Sequence, residues 1–111
     1  MRLRVPNHPE SEIEVDDATG TIRGMKGLLG QSSLPQGNGL LVKSKQVHTL
    51  GMAFTIDVIY LGPDFSILKI KTLPPGRLGP LVLRAKWVLE LAGGEASRLG
   101  LRKGLALERI A

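Results

Sequence analysis

Alternation of apolar and polar residues, the pattern of strands with one buried face, recurs along much of the chain. Residues 1–5 and 11–15 both alternate, and in the second segment Ile13 and Val15 are predicted to point inward. Residues 55–61 read Thr-Ile-Asp-Val-Ile-Tyr-Leu and are rich in the β-branched and aromatic side chains that strands favour. Further strands are predicted over residues 39–42, 65–72, 84–91 and 105–110.

Helical spacing of apolar residues is confined to two short segments. Residues 21–29 place four apolar side chains on one helical face, with Thr21 as the N-cap and Gly30 as the stop. Residues 95–99 fit one helical turn that Gly100 ends. Turn-forming residues are frequent, with 14 Gly and 7 Pro. The predicted strands follow one another without crossover helices, so we expect mainly antiparallel pairing.

These elements predict a mainly β protein that folds as a single compact domain over residues 1–111. We expect a small antiparallel barrel or rolled sheet of about seven strands with one or two short helices, because such closure leaves few strand edges exposed. Irregular loops are predicted over residues 31–38 and 73–80, and a turn at residues 7–9. On the strand 84–91 we expect Trp87 to be the largest core side chain.

Composition excludes several kinds of chemistry. The chain has no Cys, which removes disulfides, thiolate zinc sites, iron–sulfur clusters and cysteine nucleophiles. Its only histidines are His8 and His48, too few for a histidine-rich metal site. We therefore expect no metal site and no cofactor.

Charge is distributed unevenly along the chain. The formal net charge is +5, and half of the ten acidic residues lie within residues 10–17. The remaining basic part could attract nucleic acid, anionic lipid or another polyanion. However, its cations are scattered, and all four aromatic residues fall on apolar strands or their edges rather than on a stacking platform. We therefore expect a small polar ligand or polymer as partner rather than nucleic acid.

Targeting and membrane segments are not visible in the sequence. No apolar stretch approaches the ~20 residues of a membrane-spanning helix, and none follows the first residues, Met-Arg-Leu-Arg-Val-Pro, as in a secretory leader. We therefore expect no membrane span, no membrane as a partner, and a cytoplasmic location.

Three motifs in a fixed order carry a resemblance to a known family. They are Arg-Gly-Met-Lys-Gly-Leu-Leu at 23–29, followed by Ser-Leu-Pro at 33–35; His-Thr-Leu-Gly-Met-Ala-Phe-Thr-Ile-Asp-Val at 48–58; and Ala-Lys-Trp-Val-Leu-Glu-Leu-Ala-Gly at 85–93. Over residues 12–110 the chain resembles the family called domain of unknown function 192. The resemblance implies a compact β-rich domain, and the family's biochemical role is not established. Many relatives carry a secretion leader.

Asp57 is the most informative single residue. Alternation places it on the same face as Ile59 and Leu61, where an ionised carboxylate needs hydrogen bonds or a cation. One interpretation is a buried structural acceptor of backbone N–H groups. The others are a general base or ligand anchor, and a carboxylate at the strand end that faces solvent.

His48 lies nine residues before Asp57 and would reach it if residues 47–52 fold back on the strand. Such a pair could perform acid–base chemistry with Thr49 or Ser44 as nucleophile. The alternative is a histidine that braces a loop. Met52 suits core filling as well as ligand contact, and Arg23 is either a surface residue or a partner of Asp57 or Glu90.

The sequence favours a non-enzymatic binding or accessory domain with a polar ligand-binding cluster. Its candidate residues are His48, Thr49, Met52, Asp57 and Arg23. Two alternatives stay open. The first is a hydrolase-like enzyme that uses His48 and Asp57 as catalytic residues, and the second is a domain that binds nucleic acid or another polyanion through its basic surface.

Overall fold

A single mixed sheet organises the chain in the computed structural model, which describes residues 1–6, 8–19 and 31–110. The described elements are β1 (Arg2–Val5), β2 (His8–Asp17), β3 (Asn38–Val42), β4 (Ile56–Leu61), β5 (Ile67–Leu73), β6 (Trp87–Ala92), α1 (Glu95–Arg98) and β7 (Glu108–Arg109). The seven strands lie in the order β5-β4-β6-β3-β2-β1-β7. This confirms the predicted mainly β fold with a short helix near residue 95. The helix predicted over residues 21–29 lies outside the described residues.

Pairing within the sheet is mainly antiparallel, as predicted, but β2 and β3 run parallel with Val15 opposite Gly39. Parallel neighbours need a long connection between them, and residues 18–37 provide it. Of the predicted turn at residues 7–9, Asn7 lies outside the described residues, and β2 already begins at His8, which lies opposite Val5. The sequence pattern located the strands and could not show that this one connection crosses over.

Contacts between the two ends of the sheet roll it into a half-barrel. Ser66, just before edge strand β5, forms an antiparallel bridge with Ala106, just before edge strand β7. The Ile67 N–H donates to the Leu105 carbonyl at 2.8 Å, and the Leu107 N–H donates to the Phe65 carbonyl at 3.1 Å. The start of β5 is therefore hydrogen-bonded to the segment that precedes β7. The two edge strands meet there, which leaves less unpaired edge open to other chains.

Both faces of the sheet are buried, and β4 separates two apolar clusters. Ile59 and Leu61 belong to one cluster, and Ile56, Val58 and Tyr60 belong to the other. The first cluster is covered by α1 and the chain that follows it, through Ala96, Leu99, Leu101 and Leu107. All six residues of β4 are consequently buried.

Trp87 departs from its predicted place in the core. It is only half-buried at the start of β6, where its ring meets Phe65 edge-on with centroids 4.9 Å apart. The Lys86 ammonium lies 4.9 Å from the centre of the same ring. Tyr60 is the largest of the described side chains that are fully buried. The prediction for Trp87 was wrong because alternation assigns a residue to a face and does not show how near it lies to the rim.

The second apolar cluster is covered by two extended segments that we call the ribbon, residues 45–50 and 76–83. They run antiparallel: the Thr49 N–H donates to the Arg77 carbonyl at 2.7 Å, and His48 forms a bridge with Leu78. Gly79 donates to the Val47 carbonyl at 2.9 Å. A Cβ at Gly79 would lie 3.0 Å from the Tyr60 hydroxyl, so only glycine lets the ribbon approach the sheet this closely.

Within the three described ranges, no helix is long and apolar enough to cross a membrane.

Candidate functional site

Asp57 accepts three hydrogen bonds and is almost fully buried, at 2% exposure. The Thr72 hydroxyl donates to Oδ1 at 2.7 Å. The backbone N–H groups of Gly94 and Ala96 donate to Oδ2 at 3.1 and 2.9 Å. This is the arrangement of a structural acceptor that holds a loop, one of the three interpretations that the sequence left open.

The reason for these bonds lies at the start of α1. Gly94 occupies the N-cap position with a φ of 93°, and it has no side chain to accept the free N–H groups of the first turn. Those groups need an acceptor, and Asp57 provides it from the neighbouring strand β4. The carboxylate thereby fastens the β6–α1 connection to β4, the second strand of the sheet.

Thr49 is fully buried and holds the ribbon together from inside. Its hydroxyl donates to the Pro74 carbonyl at 2.6 Å and accepts the Arg77 N–H at 2.9 Å. Its hydrogen-bonding capacity is therefore used by the fold. Met52, which is 8% exposed, packs in the apolar cluster beneath the ribbon.

His48 lies on the outward side of the ribbon and is exposed. Its Nδ1 accepts the Leu50 N–H at 3.2 Å. Among the described residues, no hydrogen bond or ion pair joins His48 to Asp57. A reaction that needs a carboxylate–imidazole pair has no support in this geometry. Arg23 lies outside the described residues, and its role stays a prediction.

The outward side of the ribbon carries a group of leucines that the sequence analysis did not single out. Leu50, Leu78, Leu81 and Leu83 are 54%, 69%, 57% and 72% exposed. Val47 and Val82 point the other way and pack on the sheet. The pairing of the two segments thus sorts their side chains into an inner layer and an outer layer, with His48 and the four leucines outside.

Charge on the same surface has one sign. Residues 43–56 and 74–89, which contain the ribbon, have no Asp or Glu. They carry five exposed cations, Lys43, Lys45, Arg77, Arg84 and Lys86. The Lys45 ammonium is fixed near the leucines, because it donates to the carbonyls of Leu83 and Ala85 at 2.9 and 2.7 Å. The Lys86 ammonium lies instead on the ring of Trp87, which packs against the first cluster. We call the outward leucines and the other four cations, Lys43, Lys45, Arg77 and Arg84, the leucine–lysine face.

Glu90 is a buried carboxyl that sequence reasoning noticed only as a partner for Arg23. It is 4% exposed at the middle of β6, between Leu40 of β3 and Val58 of β4. Burial among apolar groups raises the pKa of Glu90 from 4.5 to about 7. The sequence contains a sign of this burial, because the motif Val-Leu-Glu-Leu-Ala places a single acid on an otherwise apolar strand.

Glu95 is a second buried acid, but it is paired. Its carboxylate binds the Arg98 guanidinium and accepts the Gly37 N–H at 2.7 Å. The hydrogen bond from Arg98, the largest cause, lowers the pKa of Glu95 despite its burial. Glu95 therefore ties α1 to the turn before β3, which is a structural use of the charge.

A cleft of about 460 Å3 opens between β2, β3 and residues 31–35. Leu40 and Gly39 line it, together with the carboxylate-bearing residues Glu14 and Asp16. Over residues 1–6, 8–19 and 31–110, no three His, Asp or Glu side chains are grouped in a way that could hold a metal ion.

Comparison with known proteins places the chain among uncharacterised relatives. No curated protein matches it. The fold is similar to a crystal structure of a protein of unknown function from Novosphingobium aromaticivorans DSM 12444, with 20% identity, a TM-score of 0.73, and coverage of 97% of this chain and 82% of that one. It is also similar to a Sinorhizobium meliloti 1021 protein whose description suggests a transcription regulator, with 22% identity, a TM-score of 0.76, and coverage of 96% and 89%.

At these identities the two structures show a shared fold. The family model named DUF192, described as an uncharacterized ACR, matches residues 3–109, which is nearly the whole chain. This match confirms the family that the sequence suggested, and the fold is the mainly β half-barrel described above. The chain therefore belongs to the DUF192 family.

Proposed function

We propose that this protein is a small non-enzymatic binding domain that docks on its partner through the leucine–lysine face. The observation that carries the proposal is the outward display of four leucines, each more than half exposed, on a ribbon whose two segments are hydrogen-bonded to each other. Large apolar side chains grouped on a surface and surrounded by polar residues are typical of interaction sites.

The roles of the predicted site residues follow from their positions. His48 lies among the outward leucines and contacts the partner in this proposal. Thr49 and Met52 hold the ribbon in shape from below, and Asp57 holds the helix connection behind it. In this proposal His48 is a contact residue, as the sequence predicted, whereas Thr49, Met52 and Asp57 have positioning roles.

A rigid support favours a docking role. The Tyr60 hydroxyl donates to the Pro80 carbonyl at 2.7 Å, and the Gln46 amide donates to the Gly79 carbonyl at 2.9 Å. These bonds fix the ribbon before any partner arrives, so little conformational entropy is lost on binding.

The test uses three anionic probes: vesicles with anionic lipid, oligonucleotides and polyglutamate. The wild type is compared with the double variant Leu78→Ser/Leu83→Ser, which removes exposed side chains only. Binding of at least one probe that the double variant loses supports the proposal. Failure of the wild type to bind any probe contradicts it. So does turnover of an ester, glycoside or phosphoester substrate that His48→Gln abolishes.

A further inference from the structure

The outward leucines are aliphatic, and this limits the kind of partner that fits them. The large hydrophobic side chains that are exposed in the described part of the chain are all leucines, whereas Phe54, Phe65 and Trp87 are half-buried. Hot spots of protein interfaces are enriched in Trp, Tyr and Arg, with Leu under-represented. Binding of single-stranded nucleic acid relies on aromatic side chains that stack on bases. Neither pattern is present here.

Charge around the leucines is complementary to an anionic surface. The two segments that carry the ribbon hold five exposed cations and no acid. Strand register adds two more, because Lys69 and Lys71 lie opposite Tyr60 and Val58, on the sheet face that the ribbon covers. Among the acidic residues of that face, Glu14 and Asp16 are exposed and lie on β2, with β6 and β3 between them and β4, whereas Glu90 is buried between Leu40 and Val58. The face is therefore polarised, with its basic end at the ribbon.

This charge also argues against a second copy of the chain as the occupant. Two leucine–lysine faces placed against each other would bring eight cations together without a compensating acid from those segments, and like charges repel. An anionic lipid surface has no such conflict. Its headgroups attract Lys and Arg, and its interfacial region accepts aliphatic side chains.

We propose that the leucine–lysine face is a peripheral membrane-binding surface for anionic phospholipid, with the four leucines inserted at the headgroup boundary and the surrounding cations on the headgroups. This rests on the proposed docking role of the same face and names its partner. It departs from the sequence-based expectation of no membrane partner, because the outward leucines come together only through the pairing of the ribbon.

The experiment is co-sedimentation of the full chain with vesicles of phosphatidylcholine alone or of phosphatidylcholine with phosphatidylglycerol. We expect binding only to the vesicles that contain phosphatidylglycerol, and weaker binding as salt concentration rises. Leu78→Ser/Leu83→Ser should weaken it about a hundredfold, at roughly tenfold for each leucine. Arg77→Gln/Arg84→Gln should weaken it about 25-fold, at roughly fivefold for each cation.

The matched control is Arg102→Gln/Lys103→Gln, which removes the same charge from an exposed turn on the other side of the sheet. This control should weaken vesicle binding less than about threefold, because charges far from the membrane surface are largely screened by salt. Circular dichroism confirms that each variant is folded.

Four outcomes would overturn the lipid proposal. Equal binding to vesicles with and without phosphatidylglycerol would show that anionic headgroups are not needed for binding. An equal loss of binding in the control variant Arg102→Gln/Lys103→Gln would show that binding depends on net charge and not on the leucine–lysine face. Binding of oligonucleotide or polyglutamate through the leucines, without binding to vesicles, would reject lipid while the docking role stands. If none of the probes binds, both proposals fail.

Discussion

Replacement of Asp57 by alanine should destabilise the fold by about 2–4 kcal/mol. Its largest effect is on the Ala96 N–H, which is buried and would lose its acceptor. A buried donor without a partner costs about 1–3 kcal/mol. The Gly94 N–H and the Thr72 hydroxyl belong to exposed residues and can donate to water instead. The loss of each of these bonds therefore adds only about 0.5 kcal/mol to the destabilisation.

Urea unfolding followed by circular dichroism measures this loss directly. For a domain of this size we expect the thermal midpoint to fall by about 8–16 °C, at roughly 4 °C for each kcal/mol. Asp57→Asn should lose only about 1 kcal/mol, because the amide oxygen can accept the backbone N–H groups and the amide NH2 can donate to Thr72. Thr72→Val is the matched control, since it removes only the hydroxyl bond.

The outcome for each variant separates geometry from charge. An Asp57→Ala protein that unfolds within about 0.5 kcal/mol of the wild type, the usual range of a surface substitution, would refute the capping role. An Asn variant as unstable as the Ala variant would show that the negative charge, and not the position of the acceptor, holds α1.

Three further predictions concern the buried acid, the ribbon and the tryptophan. Because the folded-state pKa of Glu90 is about 7 and its ordinary value is 4.5, the contribution of Glu90 to stability should be greatest below pH 4.5 and fall until about pH 7. Glu90→Gln should abolish that slope, with a gain of about 3 kcal/mol at about pH 8 and little gain near pH 4 in urea melts; an unchanged slope would contradict the assignment. Tyr60→Phe should cost about 1 kcal/mol and speed tryptic cleavage at Arg77, because the Tyr60–Pro80 bond is lost; equal cleavage rates would show that this bond does not hold the ribbon. Trp87 fluorescence should be partly quenched by iodide, as its half-buried ring predicts, whereas complete protection would place it in the core.

The strands were predictable because their periodicity is local. The two-residue repeat of 55–61 assigned each β4 side chain to the correct face, and Asp57 stood out as a charge within an apolar strand. The partners of Asp57 could not be predicted in the same way. They come from Thr72, Gly94 and Ala96, and only folding brings these positions to the carboxylate.

The leucine–lysine face was not predictable for a related reason. Residues 73–80 read as an irregular loop rich in Pro and Gly, and residues 47–54 show no clear period. Their inner and outer sides are defined only by pairing with each other, between His48 and Leu78 for example. Within each segment, the alternation of apolar and polar residues is too short and too interrupted to show which side chains point outward.

Complete burial of β4 has a consequence for the chain before it folds. The segment Ile-Asp-Val-Ile-Tyr-Leu is rich in β-forming residues and has no Pro or Gly, which are the features of sequences that stack into cross-β aggregates. Asp57 is its only charge, and a single charge within such a segment acts as a gatekeeper against self-association. The carboxylate that caps α1 in the native state therefore also protects the newly made chain. Asp57→Asn should consequently refold with a concentration-dependent aggregated fraction even though its native hydrogen bonds are largely retained.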